Sequence, residues 1–248
     1  MQQPNIKIAA VTLRPANTHA VLALIAQACV TRTSTHLVTV NPEYIVQAHR
    51  LPAFRKVIED ADAALIDGIG LVFGLRLRGV RIPRTTGVDF IETLARFAAQ
   101  EDLALFLLGA GEGVAEKTKT ALMQKNPTLF IAGTHSGSPK DIDFEEIKKL
   151  IHKAKPDILL VAYGSPAQDL WIARHQKELE VPVALGVGGA FDFISGTVSR
   201  APQFLRVFGL EWLWRVIREP KRWRRIVTAV IVFPWLIIKG GRAGKAET

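Results

Sequence analysis

The sequence predicts an α/β fold: a wound, mostly parallel, Rossmann-like sheet followed by a C-terminal helical appendage. Three observations carry this reading. Short apolar, β-branched runs alternate with stretches of helical periodicity over the first 200 residues. Several runs are almost continuously apolar, such as Ile158-Leu159-Leu160-Val161-Ala162, and a strand of that kind needs cover on both faces, as in a parallel sheet. After Gly196 the strand signal stops and the remaining chain reads as helix.

The expected strands are Ile6–Leu13, His36–Val40, Ala63–Ile66, Leu103–Leu108, Thr128–Gly133, Asp157–Tyr163 and Val183–Val187. Helical patterns fill the intervals at Thr18–Val30, Pro42–Glu59, Val88–Gln100, Gly113–Gln124, Phe144–Ala154 and Gln168–Leu179. Asp143, with Glu146 three residues on, reads as a helix start. Alternation of this kind favours right-handed crossovers. Residues 1–200 then form the α/β core and residues 201–248 the appendage, with breaks expected near Glu219-Pro220 and Phe233-Pro234.

A chain of 248 residues with 48% hydrophobic and 22% charged residues can bury a substantial core. Its one cysteine, Cys29, lies in an apolar helical pattern and reads as a buried filler. One cysteine excludes an intrachain disulfide and a cysteine-based zinc site, which suits a reducing compartment. The start, Met1-Gln2-Gln3-Pro4-Asn5, has no apolar signal-peptide core, so export by that route is not expected. The formal charge of +9 is concentrated at one end. Residues 200–248 hold eleven lysines and arginines against three acids, a net of +8, which leaves the rest near neutral. Such asymmetry points to a tail that meets phosphates or anionic lipid.

In an open parallel sheet, ligands bind beyond the carboxyl ends of the strands. The distinctive polar and small residues collect there: Thr39 and Asn41, Asp67-Gly68, Gly109-Ala110-Gly111-Glu112-Gly113, Thr134-His135, Tyr163-Gly164-Ser165-Pro166, and Gly186-Val187-Gly188-Gly189. The glycines at 109, 111, 188 and 189 allow backbone N–H groups to approach a bound phosphate, helped by a helix dipole. The run at 109–113 departs from a dinucleotide fingerprint, because its third glycine comes one position early and Thr128–Gly133 supplies no ribose-binding acid. That weighs against an NAD-binding oxidoreductase, one alternative for a Rossmann-like sheet. A noncatalytic membrane-associated nucleotide-binding protein is the other.

Asp67 is the leading catalytic candidate. It is a lone carboxylate closing an apolar strand at the ligand edge, and a carboxylate partly withdrawn from water can serve as a general base. It also fits an ordinary Asp-Gly turn. Two D-x-D spacings were weighed as metal ligands for a nucleotide diphosphate. Asp60 and Asp62 precede a strand, at the wrong end of the sheet, and Asp141 and Asp143 look like a helix start. The six histidines show no ligand spacing, with His135 alone on the ligand edge, so neither a metal nor a cofactor is expected.

In combination these residues resemble the WecG/TagA/CpsF glycosyltransferase family, from about Leu37 to Arg225. The motifs are Thr39-Val40-Asn41-Pro42-Glu43, Ile66-Asp67-Gly68-Ile69-Gly70, Arg84-Thr85-Thr86-Gly87-Val88-Asp89, Leu107-Leu108-Gly109, and Gly164-Ser165-Pro166-Ala167-Gln168-Asp169-Leu170-Trp171-Ile172. They continue with Gly186-Val187-Gly188-Gly189-Ala190-Phe191-Asp192-Phe193, Gly196, Arg200-Ala201-Pro202, Gly209-Leu210-Glu211-Trp212-Leu213-Trp214-Arg215 and Arg218-Glu219-Pro220. Where the family pattern has Lys-Gln-Glu, this chain has Ala167-Gln168-Asp169: the lysine is replaced and the acid shortened.

The resemblance implies an inverting, metal-independent transferase that moves a sugar, N-acetylmannosamine or a related hexose, from a UDP-sugar donor to a polyprenyl-diphosphate-linked sugar. Asp67 matches the family's proposed base. Thr39, Asn41, Arg84 and Gln168 match residues that hold the donor or shape the pocket. Without a metal, arginines must steady the departing diphosphate, and Arg84 with Arg215, Arg218 and Arg222 of the tail are the supply. No nucleic-acid partner is expected, and self-association is left open.

The tail reads as a membrane-associating device. Ile226–Ile238 is a run of thirteen uncharged residues that includes Pro234, against the roughly twenty that a spanning helix needs. Lys221, Arg222, Arg224 and Arg225 precede it, Lys239, Arg242 and Lys245 follow it, and Trp223 and Trp235 sit at its borders and within it. Basic flanks and tryptophans suit a headgroup region. The expected place is peripheral, on an anionic membrane at the cytoplasmic face, with the run interfacial or re-entrant; a buried core helix is the competing reading.

Overall fold

In the computed structural model, residues 5–203, 205, 213–214 and 227–239 are described. The chain opens with a two-residue hairpin, β1 (Ile6–Ile8) against β2 (Val11–Leu13), paired antiparallel. The expected single strand Ile6–Leu13 is therefore two. Its turn is built from Ala9 and Ala10, both at positive φ (47° and 68°), the conformation such turns require and that Asn or Gly usually supplies. Alanine there carries no turn signal.

The other elements follow in alternation: α1 (Thr18–Thr31), β3 (Thr35–Val40), α2 (Pro42–Arg50), α3 (Pro52–Asp60), β4 (Ala63–Ile66), α4 (Ile69–Arg76), α5 (Gly87–Gln100), β5 (Leu105–Gly109), α6 (Val114–Lys125) and β6 (Ile131–His135). Then come α7 (Phe144–Ala154), β7 (Ile158–Ala162), α8 (Ala167–Leu179), β8 (Val183–Gly186) and α9 (Ala190–Ile194). A π-helical turn at Thr228–Val232 leads into α10 (Phe233–Lys239).

Among the described residues, six strands form one parallel sheet in the order β4-β3-β8-β7-β5-β6. All residues of β4, β5, β7 and β8 are buried, as their continuous apolar character requires. The outer edge of β4 is covered by the segment after the hairpin: Ala64 N–H donates to Arg14 O at 2.8 Å, and Ala16 N–H donates to Ala64 O at 3.0 Å. That removes an exposed pairing edge. Helices α1, α5, α6 and α9 pack on one face of the sheet. The hairpin, α2, α3, α4 and α10 share a core on the other face, with α7 and α8 beside them.

Several boundaries differ from expectation. The helix expected at Pro42–Glu59 is two, because Leu51 takes an extended conformation (φ −121°, ψ 97°) before Pro52, where the proline ring disfavours helical backbone. β6 starts at Ile131 rather than Thr128; Leu129 N–H closes a turn on Asn126 O at 3.0 Å, and Phe130 points to solvent. Asp143 precedes α7 but makes no capping bond, and accepts from Ser138 Oγ instead. Helices α4 and α9 were not anticipated. Cys29 is buried in α1, and burial raises its thiol pKa to about 11.

Candidate active site

The loops leaving the carboxyl ends of β3, β4, β5, β7 and β8 surround a cavity of about 480 Å³, within the range of small-ligand sites. Thr39, Asn41, Asp67, Arg84, Gly111, Gly188 and Gly189 all line it. The parallel sheet brings these residues together although they are scattered over 150 positions of the chain, because every strand delivers its loop to the same edge.

Each is held by its own local chemistry. Thr39 Oγ1 donates to Gly186 O at 3.0 Å, tying the end of β3 to the end of β8. Asn41 caps α2, its Oδ1 accepting from Tyr44 N–H at 3.0 Å, with Pro42 at the first helical position. Asp67 follows β4, where its N–H donates to Val40 O at 2.8 Å and its Oδ1 accepts from Gly68 N–H at 2.6 Å. Gly68 sits at φ +83°, and a Cβ there would lie 2.9 Å from Pro42 Cδ. The sharp turn at Asp67-Gly68 therefore depends on glycine. Arg84 enters from the segment between α4 and α5, anchored next door by Thr85 N–H donating to Ile66 O at 2.9 Å.

Two of the expected contact residues lie beneath the cavity rather than on its wall. Gly109 packs against β7, and a Cβ there would come within 2.9 Å of Ala162 C and of Tyr163 Cδ1. Gln168 is buried, and its amide is spent on protein groups. Its Oε1 accepts from Gly164 N–H at 3.1 Å and from Gly188 N–H at 2.9 Å, and its Nε2 donates to Tyr44 Oη at 2.7 Å. One side chain thus joins the loops after β7 and β8 to α2.

Asp169, the shortened acid of that motif, is completely buried. Its Oδ2 accepts from Tyr44 Oη at 3.0 Å, and its Oδ1 lies 3.8 Å from His36 Nε2. Burial, reinforced by the Asp169 charge, pushes the Tyr44 phenol well above its usual pKa, so it stays a donor. Gly186 makes room for both side chains: a Cβ would lie 2.4 Å from Gln168 Nε2 and 2.5 Å from Asp169 Oδ1. Sequence reading missed Tyr44 and the structural part of Asp169, since an aromatic in a helix carries no signal of its partner 125 residues away.

Other cavity residues, Glu43, Thr86, Tyr163 and Asp192, stood within the family motifs or at the ligand edge without an assigned role, and Ala229 of the tail was not singled out. Thr86 caps α5, accepting from Asp89 N–H at 3.2 Å and donating to Asp89 Oδ2 at 2.7 Å. Arg200 then bonds Asp89 Oδ1 at 2.7 Å. Two motifs far apart in sequence are in this way a single anchor, which fixes the start of the appendage beside the cavity. Arg215, Arg218 and Arg222 lie outside the described residues.

Asp60, Asp62 and Asp143 of the D-x-D pairs have structural partners, that of Asp143 being Ser138. Asp60 pairs with Lys56 at 2.9 Å, and Asp62 accepts from His36 N–H at 2.8 Å, on the far side of the sheet from the cavity. Among the described residues no cluster of three His, Cys, Asp or Glu could hold a metal ion.

The tail run is not a free segment. Phe233 and Leu236 are buried in the core shared by α2, α3 and α4, while Val227, Val230, Ile231, Trp235 and Ile238 face solvent. The buried-helix and surface readings each describe one side of it. Among the described residues no helix is long and apolar enough to cross a membrane.

Comparison with known proteins gives the family. The chain is 36% identical over 193 residues to an N-acetylglucosaminyldiphosphoundecaprenol N-acetyl-beta-D-mannosaminyltransferase of Bacillus spizizenii, covering 77% of this chain and 74% of that protein. It is 32% identical over 207 residues to the enzyme of the same name from Staphylococcus aureus strain MW2, covering 83% and 80%. The family model for the WecG/TagA/CpsF glycosyltransferases matches residues 6–247. With the match running from β1 through the tail, the chain belongs to the WecG/TagA/CpsF family and is a glycosyltransferase.

Proposed function

We propose that this enzyme transfers N-acetylmannosamine, or a closely related hexose, from its UDP-sugar to the sugar of a polyprenyl-diphosphate-linked acceptor at the cytoplasmic face of the membrane. The observation that carries this reading is the placement of Asp67 and Arg84 on one cavity at the carboxyl edge of a parallel sheet, in a chain whose relatives are named for that transfer. The relatives are named as beta-D-mannosaminyltransferases, which specifies a beta product. A beta product from an alpha-linked nucleotide sugar requires inversion, hence a single displacement.

In that displacement the Asp67 carboxylate accepts the proton of the attacking acceptor hydroxyl. The hydroxyl oxygen bonds to the anomeric carbon as the bond to UDP breaks, and the electron pair leaves with the diphosphate. Arg84 is suited to that developing charge, and Arg215, Arg218 and Arg222 are proposed to join it from the tail. The N–H groups of Gly111 and Gly189, which line the same cavity, offer further donors. Gln168, whose amide is consumed internally, holds the walls in place.

A panel of radiolabelled UDP-sugars assayed with lipid extract tests the reading, with label expected in the lipid phase for one N-acetylhexosamine. Asp67→Asn should keep the fold and lower transfer by about 10²–10⁴. Wild-type turnover by folded Asp67→Asn protein would remove the base assignment.

A further inference from the structure

Helix α4 begins two residues after Asp67 and has an outward side that the core does not explain. Ile69, Phe73 and Leu77, four residues apart and so on one side of a helix, are 48%, 61% and 66% exposed. The neighbouring side of the same helix is glycine. A Cβ at Gly74 would lie 3.6 Å from Phe233 Cζ and 3.7 Å from Ile237 Cδ1, and one at Gly70 would lie 3.9 Å from Phe233 Cε1. These glycines let α10 lie close against α4. Two helices packed side by side thus each leave a bulky apolar row in water: Ile69, Phe73 and Leu77 on one, Trp235 and Ile238 on the other. The rows carry a cationic border. Arg76 and Arg81 are exposed on the α4 side, and Lys239 Nζ sits 4.7 Å from the Trp235 ring centroid on the α10 side.

We infer that α4, together with α10, is inserted into the surface of an anionic bilayer, so that the membrane contact includes the catalytic core itself and not the tail alone. The inference rests on the proposed lipid-linked acceptor. Apolar rows rimmed by Arg, Lys and Trp match the boundary between acyl chains and anionic headgroups. The cavity is lined by Asp67 and Gly68, the two residues just before α4, together with Ala229 of the tail. Seating α4 in the interface sets the base within a few residues of the plane where an acceptor diphosphate lies.

The test uses the full chain with Cys29→Ser and a single new cysteine carrying an environment-sensitive fluorophore, at Phe73→Cys or, as a control on the opposite face of the sheet, at Val30→Cys. With vesicles of phosphatidylcholine and phosphatidylglycerol, the label at 73 should shift to the blue and become quenchable by brominated acyl chains, and the label at 30 should not. Phe73→Asp in the otherwise native chain should weaken vesicle partitioning about tenfold while turnover on a short-chain, water-soluble acceptor is retained. If the protein floats with vesicles while the label at 73 stays in water, α4 is not inserted, although the tail reading survives. If the protein ignores vesicles altogether, both fall. A blue shift that grows with protein concentration in the absence of lipid would assign the row to a second copy of the chain instead.

Discussion

One side chain outside the cavity wall ties its surroundings together. Gln168 accepts from the N–H groups of Gly164 and Gly188 and donates to the Tyr44 hydroxyl, so the loops after β7 and β8 and helix α2 share one amide. Buried polar groups that lose a partner are costly, about 1–3 kcal/mol each, and Gln168→Ala would take the partner from the Gly164 and Gly188 N–H groups, while Tyr44 Oη keeps Asp169. Thermal denaturation of Gln168→Ala should show a loss of about 2–4 kcal/mol, and the folded fraction should show a raised KM for the UDP-sugar. An unchanged KM would mean that the loops hold without the amide. Asp169 explains how the shortened acid is tolerated. It needs only to reach Tyr44, which also lines the cavity, and the neighbourhood of His36. Asp67 was legible as a candidate because a lone carboxylate closes an apolar strand. The Tyr44–Gln168–Asp169 network was not, because its members meet only once α2 and α8 pack.

At the scale of elements, the strand-helix alternation was readable and its exceptions have local causes. Pro52 splits one expected helix into α2 and α3, and the Ala9-Ala10 turn splits one expected strand into β1 and β2. Helix α10 lies in the run whose basic flanks and tryptophans favoured an interfacial segment over a buried core helix, and one side of it is buried. Phe233 is 2% exposed and Leu236 6% exposed, against α2 and α4. Phe233→Ala should therefore remove about 3–5 kcal/mol of docking energy. Because α10 joins the sheet through no strand, the loss is expected as release of this helix rather than global unfolding. Hydrogen exchange should show faster amides in 233–239 with those of β5, β7 and β8 unchanged. Equal acceleration throughout would show that α10 is part of the cooperative core.

For the whole molecule, we propose that the near-neutral α/β unit holds the reacting groups and that the strongly basic tail brings them to lipid. Deleting residues 201–248 should release the enzyme from anionic vesicles and cut transfer to a lipid acceptor, while far-UV circular dichroism keeps the α/β signature. The deletion exposes the α2 and α4 surfaces that Phe233 and Leu236 cover, so a lower melting temperature should accompany it. Transfer at the full-length rate would show that the tail neither completes the site nor delivers the acceptor. Activity should also survive EDTA, since arginines are assigned the diphosphate charge. Loss with chelator and recovery with Mg²⁺ or Mn²⁺ would instead place a metal at that charge.

Local pattern was enough to specify the fold class, the edge of the sheet where the cavity lies, Asp67 as candidate base and the basic character of the tail. Each follows from short-range physics: apolar runs must be buried, glycines permit tight turns, and a strand's carboxyl end must lead somewhere. Packing across the chain decided the rest. It placed Gln168 and Gly109 under the cavity rather than on its wall, joined Asp89 to Arg200, and folded the apolar tail run back so that one side enters the core and the other does not. Those outcomes depend on which surfaces meet across 100 residues or more of chain. A residue's spacing from its sequence neighbours carries no record of the partner that will satisfy its hydrogen bonds or cover its apolar face.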